Sequence, residues 1–396
     1  MSDSSPIPFR WFREHFVKDI LANWKNASAS PDGFFHPGYD RNWNRIGDPV
    51  ATLVSQSRLL YLFSNGYRIH GDPELKNIIL SGAYFILEHF TDNREGGFAW
   101  SCNDKGEIRD FTKDAYGHAF LILGLAHAYR ATRQRVFLEK ALEALEILNR
   151  SFRDPHGGLV WKMSRDWKDE DLYRSQNPMM HLYEALLILY ETVENIIQKR
   201  TIKNELRSVT EFLFNSGRIT AKGLLPEIYT REWRRIKTSQ GGYVSAGHLF
   251  EWAFLLSRGV SLGLPESDLE IADILLNAGL KYGYDSQMNF VRTWIDTNGN
   301  VIRDEISWWE QSEALRTIMH YMIDYNRNDL EHYFSGLLTF VKNHFLDMDK
   351  GGWYSTLNPE GNPLNTDKGS LWKLDYHQTG LCMEAIGKTP DSKISF

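Results

Sequence analysis

The chain has 396 residues and a net charge of −6, with 42% hydrophobic and 13% aromatic residues. That is ample apolar material for a large core. The acidic balance, with one short basic run at Arg231–Lys237 that Glu232 and Trp233 interrupt, argues against a nucleic-acid partner. Two cysteines, Cys102 and Cys382, exclude a disulfide framework and a cysteine metal knuckle, and no run of about 18 apolar residues offers a membrane span.

The N-terminal stretch MSDSSPIPFRWFREHF lacks the charged-then-apolar order of a secretory leader, so a cytoplasmic location is expected. A short turn-plus-aromatic unit then recurs along the chain: PDGFFH, EGGFAW, HGGLVW, AKGLLPEIY, a weaker DSQMNFVRTW, and KGGWYS. With Gly33, Gly97, Gly158, Gly223, Met288 and Gly352 as markers, the steps are 64, 61, 65, 65 and 64 residues. A regular period of this kind identifies a repeat architecture. Six units account for 396 residues, and no Pro-, Gly- or Ser-rich linker divides them, so residues 1–396 are expected to form one domain.

Each unit predicts two helices. Arg135 to Arg150 carries Leu138, Leu142, Leu145 and Leu148 at helical spacing with Glu and Lys between, which is a one-faced outer helix. MMHLYEALLILYETV, after Pro178, is apolar nearly all round and predicts a helix buried on every side. The loops, such as GGFAWSCNDKGEI, have the turn chemistry of β-hairpins. Twelve helices in six alternating pairs predict an all-α (α/α)6 barrel. Its short β-hairpin loops would gather at one end, over the first turns of the inner helices.

Those first turns contain Arg58, Tyr116 with His118, His181 with Glu184, His248 with Glu251, Trp308 with Trp309, Gln311 and Glu313, and His377. Arg58, His118, His181 and His248 follow one another at 60, 63 and 67 residues, and His377 comes 129 later, or two units. Histidine thus falls at four of six positions expected to be equivalent. His181 and His248 each have a glutamate three residues on, on the same helical face, where a carboxylate can orient an imidazole. His118 has no such companion and reads as structural. The polar residues that precede His377 are expected to face the mouth.

Aromatic faces together with Arg, His, Glu and Asn suit a sugar, whose ring stacks on indole and whose hydroxyls need hydrogen-bonding partners. The His-x-x-Glu pairs lack a completed ligand set, and neither a strained Ser or Cys nucleophile motif nor a phosphate-cradling glycine loop is present, so no metal and no other cofactor is expected. Two other classes remain open on the residues alone. One is glycoside hydrolysis by a pair of carboxylates, as in other (α/α)6 barrels; the other is a sugar- or protein-binding module without catalysis.

QSRLLY, KDAYGHAF, GHLFEW, WWEQSEAL and WKLDYHQTG, in this order from about Trp11 to Ile386, resemble the N-acylglucosamine 2-epimerase superfamily, which includes cellobiose 2-epimerases and mannose isomerases. The resemblance implies an (α/α)6 barrel that enolises a free reducing sugar without a metal or redox cofactor, and a monomer or homodimer. It implies His248 and His377 as the catalytic pair, with substrate contacts from Arg58, Tyr116, Asn177, His181, Glu251, Trp308, Trp309 and Trp372. The Asp-Tyr-His form at Asp375–His377, where cellobiose epimerases carry Cys-Pro-Tyr-His, resembles the mannose isomerase branch. The expected reaction is therefore interconversion of D-mannose and D-fructose through a cis-enediol. The alternative is 2-epimerisation of mannose or glucose, cellobiose or an N-acylglucosamine.

Overall fold

The computed structural model describes residues 6–214 and 217–389. Among the described residues twelve helices alternate between two rings. The outer ones are α1 (9–28, with a π turn at Phe16–Leu21), α3 (Pro73–His89), α5 (Arg135–Ser151) and α7 (Ile196–Phe214). They continue with α9 (Ser267–Ala278, running into a π turn at Gly279–Gly283) and α11 (Glu331–Phe340, running into one at Val341–Phe345). The inner ones are α2 (Leu53–His70), α4 (Ala115–Thr132) and α6 (Gln176–Thr192). The rest are α8 (Ala246–Ser261), α10 (Trp308–Asp324) and α12 (Tyr376–Gly387).

Each inner helix packs on the next, and α12 packs on α2, which closes the ring. The fold is an (α/α)6 barrel. The two helix types differ in burial as their patterns predict. In α2 every residue from Leu53 to Gly66 is buried. In α5 the buried stripe is Phe137, Ala141, Ala144, Leu145, Ile147 and Leu148, while Leu138 and Leu142 lie at its edge.

The loops form hairpins that also staple neighbouring units together. The strand leading into an inner helix pairs with the hairpin of the following unit. Val50–Thr52 pairs with Ser101–Asn103, Lys113–Asp114 with Lys162–Met163, and Tyr173–Ser175 with Ile228–Thr230. The same holds for Val244–Ser245 with Trp294–Ile295 and Ile306–Ser307 with Thr356–Leu357. A single bridge between Tyr39 and Gly369 makes the sixth link. All six loops therefore meet at the end where the inner helices begin.

Buried aspartates lock several loops through ion pairs. Asp92 accepts from Lys113 and Arg165, Asp154 from Arg174, and Asp347 from Arg41 and Lys368. The marker glycines occupy left-handed backbone (Gly97 φ 69°, Gly352 φ 68°), and a Cβ on Gly97 would lie 2.7 Å from Trp167. In the weak fifth copy the left-handed residue is Asn289 (φ 62°), one position after Met288, and Asn is among the few side chains that tolerate it. Among the described residues no helix is long and apolar enough to cross a membrane.

Candidate active site

The hairpins and the first turns of the inner helices enclose a cavity of about 250 Å³. Arg58, Tyr116, Asn177, His181, His248, Trp308, Trp309, Trp372 and His377 all line it. Glu251, the tenth residue expected there, does not. It lies below the cavity floor, fully buried. Trp161, Tyr243, Trp294 and Glu227 line the cavity as well. Their common signal is the aromatic loop unit itself: Trp161 stands three residues after Gly158 and Glu227 four after Gly223.

The four histidines are not at equivalent depths. His377 is the second residue of its helix, His248 the third, His118 the fourth and His181 the sixth. That spread places His118 behind the loop. Its Nε2 accepts the Phe98 N–H at 3.2 Å and its Nδ1 donates to the Asp114 carbonyl at 2.8 Å. Burial pushes it down to about 4, so it stays neutral. Gln56 and Gln311, also fourth in their helices, latch Phe35 and Val291 in the same way.

The other three histidines face the cavity with a carboxylate behind each. His377 Nδ1 lies 2.7 Å from Glu313 Oε1, His181 Nδ1 3.1 Å from Glu184 Oε2, and His248 Nδ1 2.8 Å from Glu227 Oε1. The His181–Glu184 pair is the one its spacing suggests. The His248 partner corrects the expectation, because Glu227, on the preceding hairpin, replaces Glu251. Glu227 also accepts from Gln176 Nε2 (2.7 Å) and the Ser245 N–H (3.2 Å), and Trp252 Nε1 fixes the Gln176 amide by donating to its oxygen (2.6 Å). An acceptor set this way holds the hydrogen of His248 on Nδ1 and leaves Nε2 free toward the cavity. The indole of Trp309 separates the two imidazoles, 4.8 Å from His248 and 5.2 Å from His377 between ring centroids.

Charge at the floor follows from burial. Desolvation, with Arg58, His181 and His248 close by, holds His377 well below its ordinary 6.5. Burial lifts Glu313 to about 7, and it lifts Glu251, which also faces Glu313 and Glu184, well above the carboxylate range. Glu184 goes the other way: burial opposes its ionisation, but hydrogen bonds from His181 and Tyr376 and the Arg316 charge outweigh that. Arg58 donates to the Trp372 carbonyl and the Tyr116 hydroxyl, each at 2.7 Å, and so both lines the cavity and clamps its rim.

Donor atoms of His181, Glu184 and Glu251, and of Glu251, Glu313 and His377, lie within 4.8 Å of one another, a reach that would suit a metal ion. The imidazole Nδ1 atoms in both sets are already committed to Glu184 and Glu313. The polar residues before His377 do not all face the mouth. Trp372 does, half exposed, but Asp375 is buried with φ 51° and accepts from Trp24 Nε1, Gln378 Nε2 and Lys373 Nζ.

The family model described as N-acylglucosamine 2-epimerase (GlcNAc 2-epimerase) matches residues 33–380. The chain belongs to this family. A D-mannose isomerase of Marinomonas mediterranea is 25% identical over 394 residues, covering 95% of this chain and 96% of the relative. A cellobiose 2-epimerase of Bacteroides fragilis is 27% identical over 354 residues, covering 85% and 87%. A crystal structure of D-mannose isomerase superposes with a TM-score of 0.90 at 21% identity over 98% of this chain and 100% of the other, a likeness of fold. This member of the N-acylglucosamine 2-epimerase family is thus an enzyme of the sugar isomerase and 2-epimerase class.

Proposed function

We propose that the protein interconverts a free aldose and its ketose, of the D-mannose/D-fructose type, using His248 and His377 as its proton-transfer groups. The observation that carries this reading is that two imidazoles, each backed by a carboxylate at Nδ1, flank one indole in a cavity lined by aromatic rings. Trp308, Trp309 and Trp372 offer faces for a sugar ring, and Asn177, Tyr116 and His181 offer partners for its hydroxyls.

The reaction begins with ring opening, in which one imidazole hands a proton to the ring oxygen as the anomeric hydroxyl loses its own. A neutral imidazole then removes the C2 proton. The C–H electron pair becomes the C1–C2 double bond, and O1 gains a proton, giving a cis-enediol. Burial keeps His377 neutral and suits it to be this base. Glu313 lies against its Nδ1–H and can stabilise the cation that forms. The Arg58 guanidinium stabilises charge on the sugar oxygen. Return of the proton to C1, with loss of the O2 proton, gives the ketose. Delivery to the opposite face of C2, with loss of the O1 proton, gives the epimer. The placement of His248 across Trp309 from His377 favours 2-epimerisation as the second reading. Asp375 is the residue that tilts the choice toward isomerisation.

Incubation with D-mannose in D₂O, followed by NMR, tests both. A new ketose, with or without deuterium at C1, supports isomerisation, and an aldose inverted and labelled at C2 supports epimerisation. No new sugar and no C2 exchange with D-mannose, D-lyxose, D-glucose, cellobiose or N-acetylglucosamine would overturn the proposal.

A further inference from the structure

Three carboxyls meet beneath the sugar cavity, each from a different inner helix. Glu184 (α6), Glu251 (α8) and Glu313 (α10) are all buried. Glu251 lies within 4.8 Å of Glu184 and His181 on one side and of Glu313 and His377 on the other, measured between their donor atoms. Like charges this close, out of water, do not all ionise. Glu184 has hydrogen bonds with His181 and Tyr376, and Glu251 has none at either oxygen. Glu313 stands between these cases. Its Oε1 meets His377 Nδ1, but its buried Oε2 has no hydrogen bond.

What faces that oxygen is a charge. Arg316 Nη1 lies 3.6 Å from Glu313 Oε2, one turn further along α10. The guanidinium is largely buried and does not line the sugar cavity. It lies over the Phe254 ring of α8, 3.9 Å from the centroid, and against Gly380 of α12, where a Cβ would stand 3.0 Å from Nη1. Glycine costs helix stability at a buried interior position, and here it makes room for the guanidinium. The other groups around Glu313 are His377 and Tyr376 on α12, Glu251 and His248 on α8, His181 and Glu184 on α6, and Tyr61 on α2. Burial pushes both tyrosine hydroxyls up, so they stay neutral, and it pushes the His181 and His377 imidazoles down. Arg316 is the permanent cation of this set.

We propose that Arg316 is a positioning residue for the reaction: its charge, seated against Gly380, keeps a carboxylate rather than a carboxylic acid behind His377. This inference rests on the function proposed above. A carboxylate accepts the Nδ1–H of His377 and leaves Nε2 bare toward the sugar. A carboxylic acid would donate its O–H to Nδ1 instead. The imidazole would then carry its own hydrogen on Nε2, where it cannot take the C2 proton. Glu313 and His377 are close enough to take up that extra proton as a pair. Arg316 touches no substrate and acts through the tautomer that Glu313 imposes.

The test compares the wild type with Arg316→Gln and Arg316→Lys. Removing a cation from beside Glu313 raises the proton affinity of the Glu313–His377 pair. In Arg316→Gln the acid limb of kcat/KM should therefore move to higher pH, by about 1–3 units. At about pH 7 its kcat should fall about tenfold or more with KM little changed. A ¹⁵N spectrum at about pH 8 should show His377 with a bare Nε2 in the wild type and with hydrogen on Nε2 in Arg316→Gln. Arg316→Lys, which keeps the charge, should restore most of the limb and of the tautomer. An unmoved limb and tautomer in Arg316→Gln would overturn the proposal, and so would a lysine variant shifted as far as the glutamine one. If neither variant folds, the wild-type ¹⁵N spectrum decides: a bare Nε2 supports the proposal and an Nε2–H sinks it. If no sugar is turned over, the functional reading fails by itself, and the ¹⁵N spectra still judge Arg316.

Discussion

His377 Nδ1 and Glu313 Oε1 lie 2.7 Å apart, although the two residues are 64 positions apart and sit on neighbouring inner helices. Glu313 is wholly buried, and its proton affinity is raised to about 7, close to that of an imidazole. It can therefore share the charge that His377 acquires when it takes a proton from carbon. Glu313→Gln keeps the shape and removes that capacity. It should lower kcat on D-mannose by about 10²-fold with little change in KM. Steady-state kinetics check this, and an unaltered kcat would leave Glu313 a structural role only.

Glu227 carries a different load. It is the point where Gln176, the Ser245 N–H and His248 converge. Glu227→Ala leaves buried donors without an acceptor, at a cost of about 1–3 kcal/mol, and frees His248 to change tautomer. The expected result is a lower melting temperature together with a lower kcat. A ¹⁵N spectrum of His248 separates the two effects, since wild type should carry its hydrogen on Nδ1 and the variant a mixture.

The contrast between these two carboxylates explains what was legible in the chain. The period of the aromatic loop unit and the all-round apolar helices mark the barrel, because both are local patterns repeated six times. Asn177 and the three tryptophans are legible because they open or precede inner helices, and Arg58 because it lies in the second turn of one. Glu227 is not, because it reaches His248 from a hairpin 21 residues away through a turn that helical spacing does not describe. Glu251 fails for the converse reason: it is on the expected face but one turn too deep. The histidine ring looked regular because steps of 60, 63 and 67 residues blur positions two to six of a helix, a span of more than one turn.

Two opposing titrations shape the pH response. His118, His181 and His377 are buried with their pKa values lowered, so they bind protons more weakly when folded than when unfolded. Their contribution to stability is present above the ordinary 6.5 and is lost as pH falls below it. The acid limb of kcat/KM, if it reports His377, should lie below 6.5 as well. Glu310 acts in reverse. Burial lifts it to about 8 from the ordinary 4.5, so the folded state holds a proton that the unfolded state releases, and stability declines as pH rises through that window. Glu310→Gln should flatten the alkaline side of the Tm–pH curve, gaining on the order of 5 kcal/mol over wild type between about pH 5 and pH 9. A parallel curve for wild type and variant would show that Glu310 is not the group responsible.

Asp375 separates positioning from chemistry. Its backbone is left-handed (φ 51°), which Asp and Asn tolerate and which the proline ring, fixed near −65°, cannot adopt. A chain with Pro at this place must therefore lead into α12 by a different backbone path, and that path sets where Trp372 and His377 stand. Asp375→Asn keeps the turn but removes the charge that faces Lys373, 3.2 Å away in a buried setting. It should destabilise by about 3–5 kcal/mol, because the buried Lys373 ammonium loses its counter-charge and keeps only its bond to the Lys368 carbonyl. Asp375→Pro should lose more, since the turn and the acceptor for Trp24 and Gln378 disappear together. If Asp375 governs the outcome through the loop, the ratio of ketose to epimer should shift in Asp375→Asn at a temperature where the variant is folded. Chromatography of products against circular dichroism of the same sample reads both at once, and a stable variant with an unchanged ratio would remove Asp375 from the specificity argument.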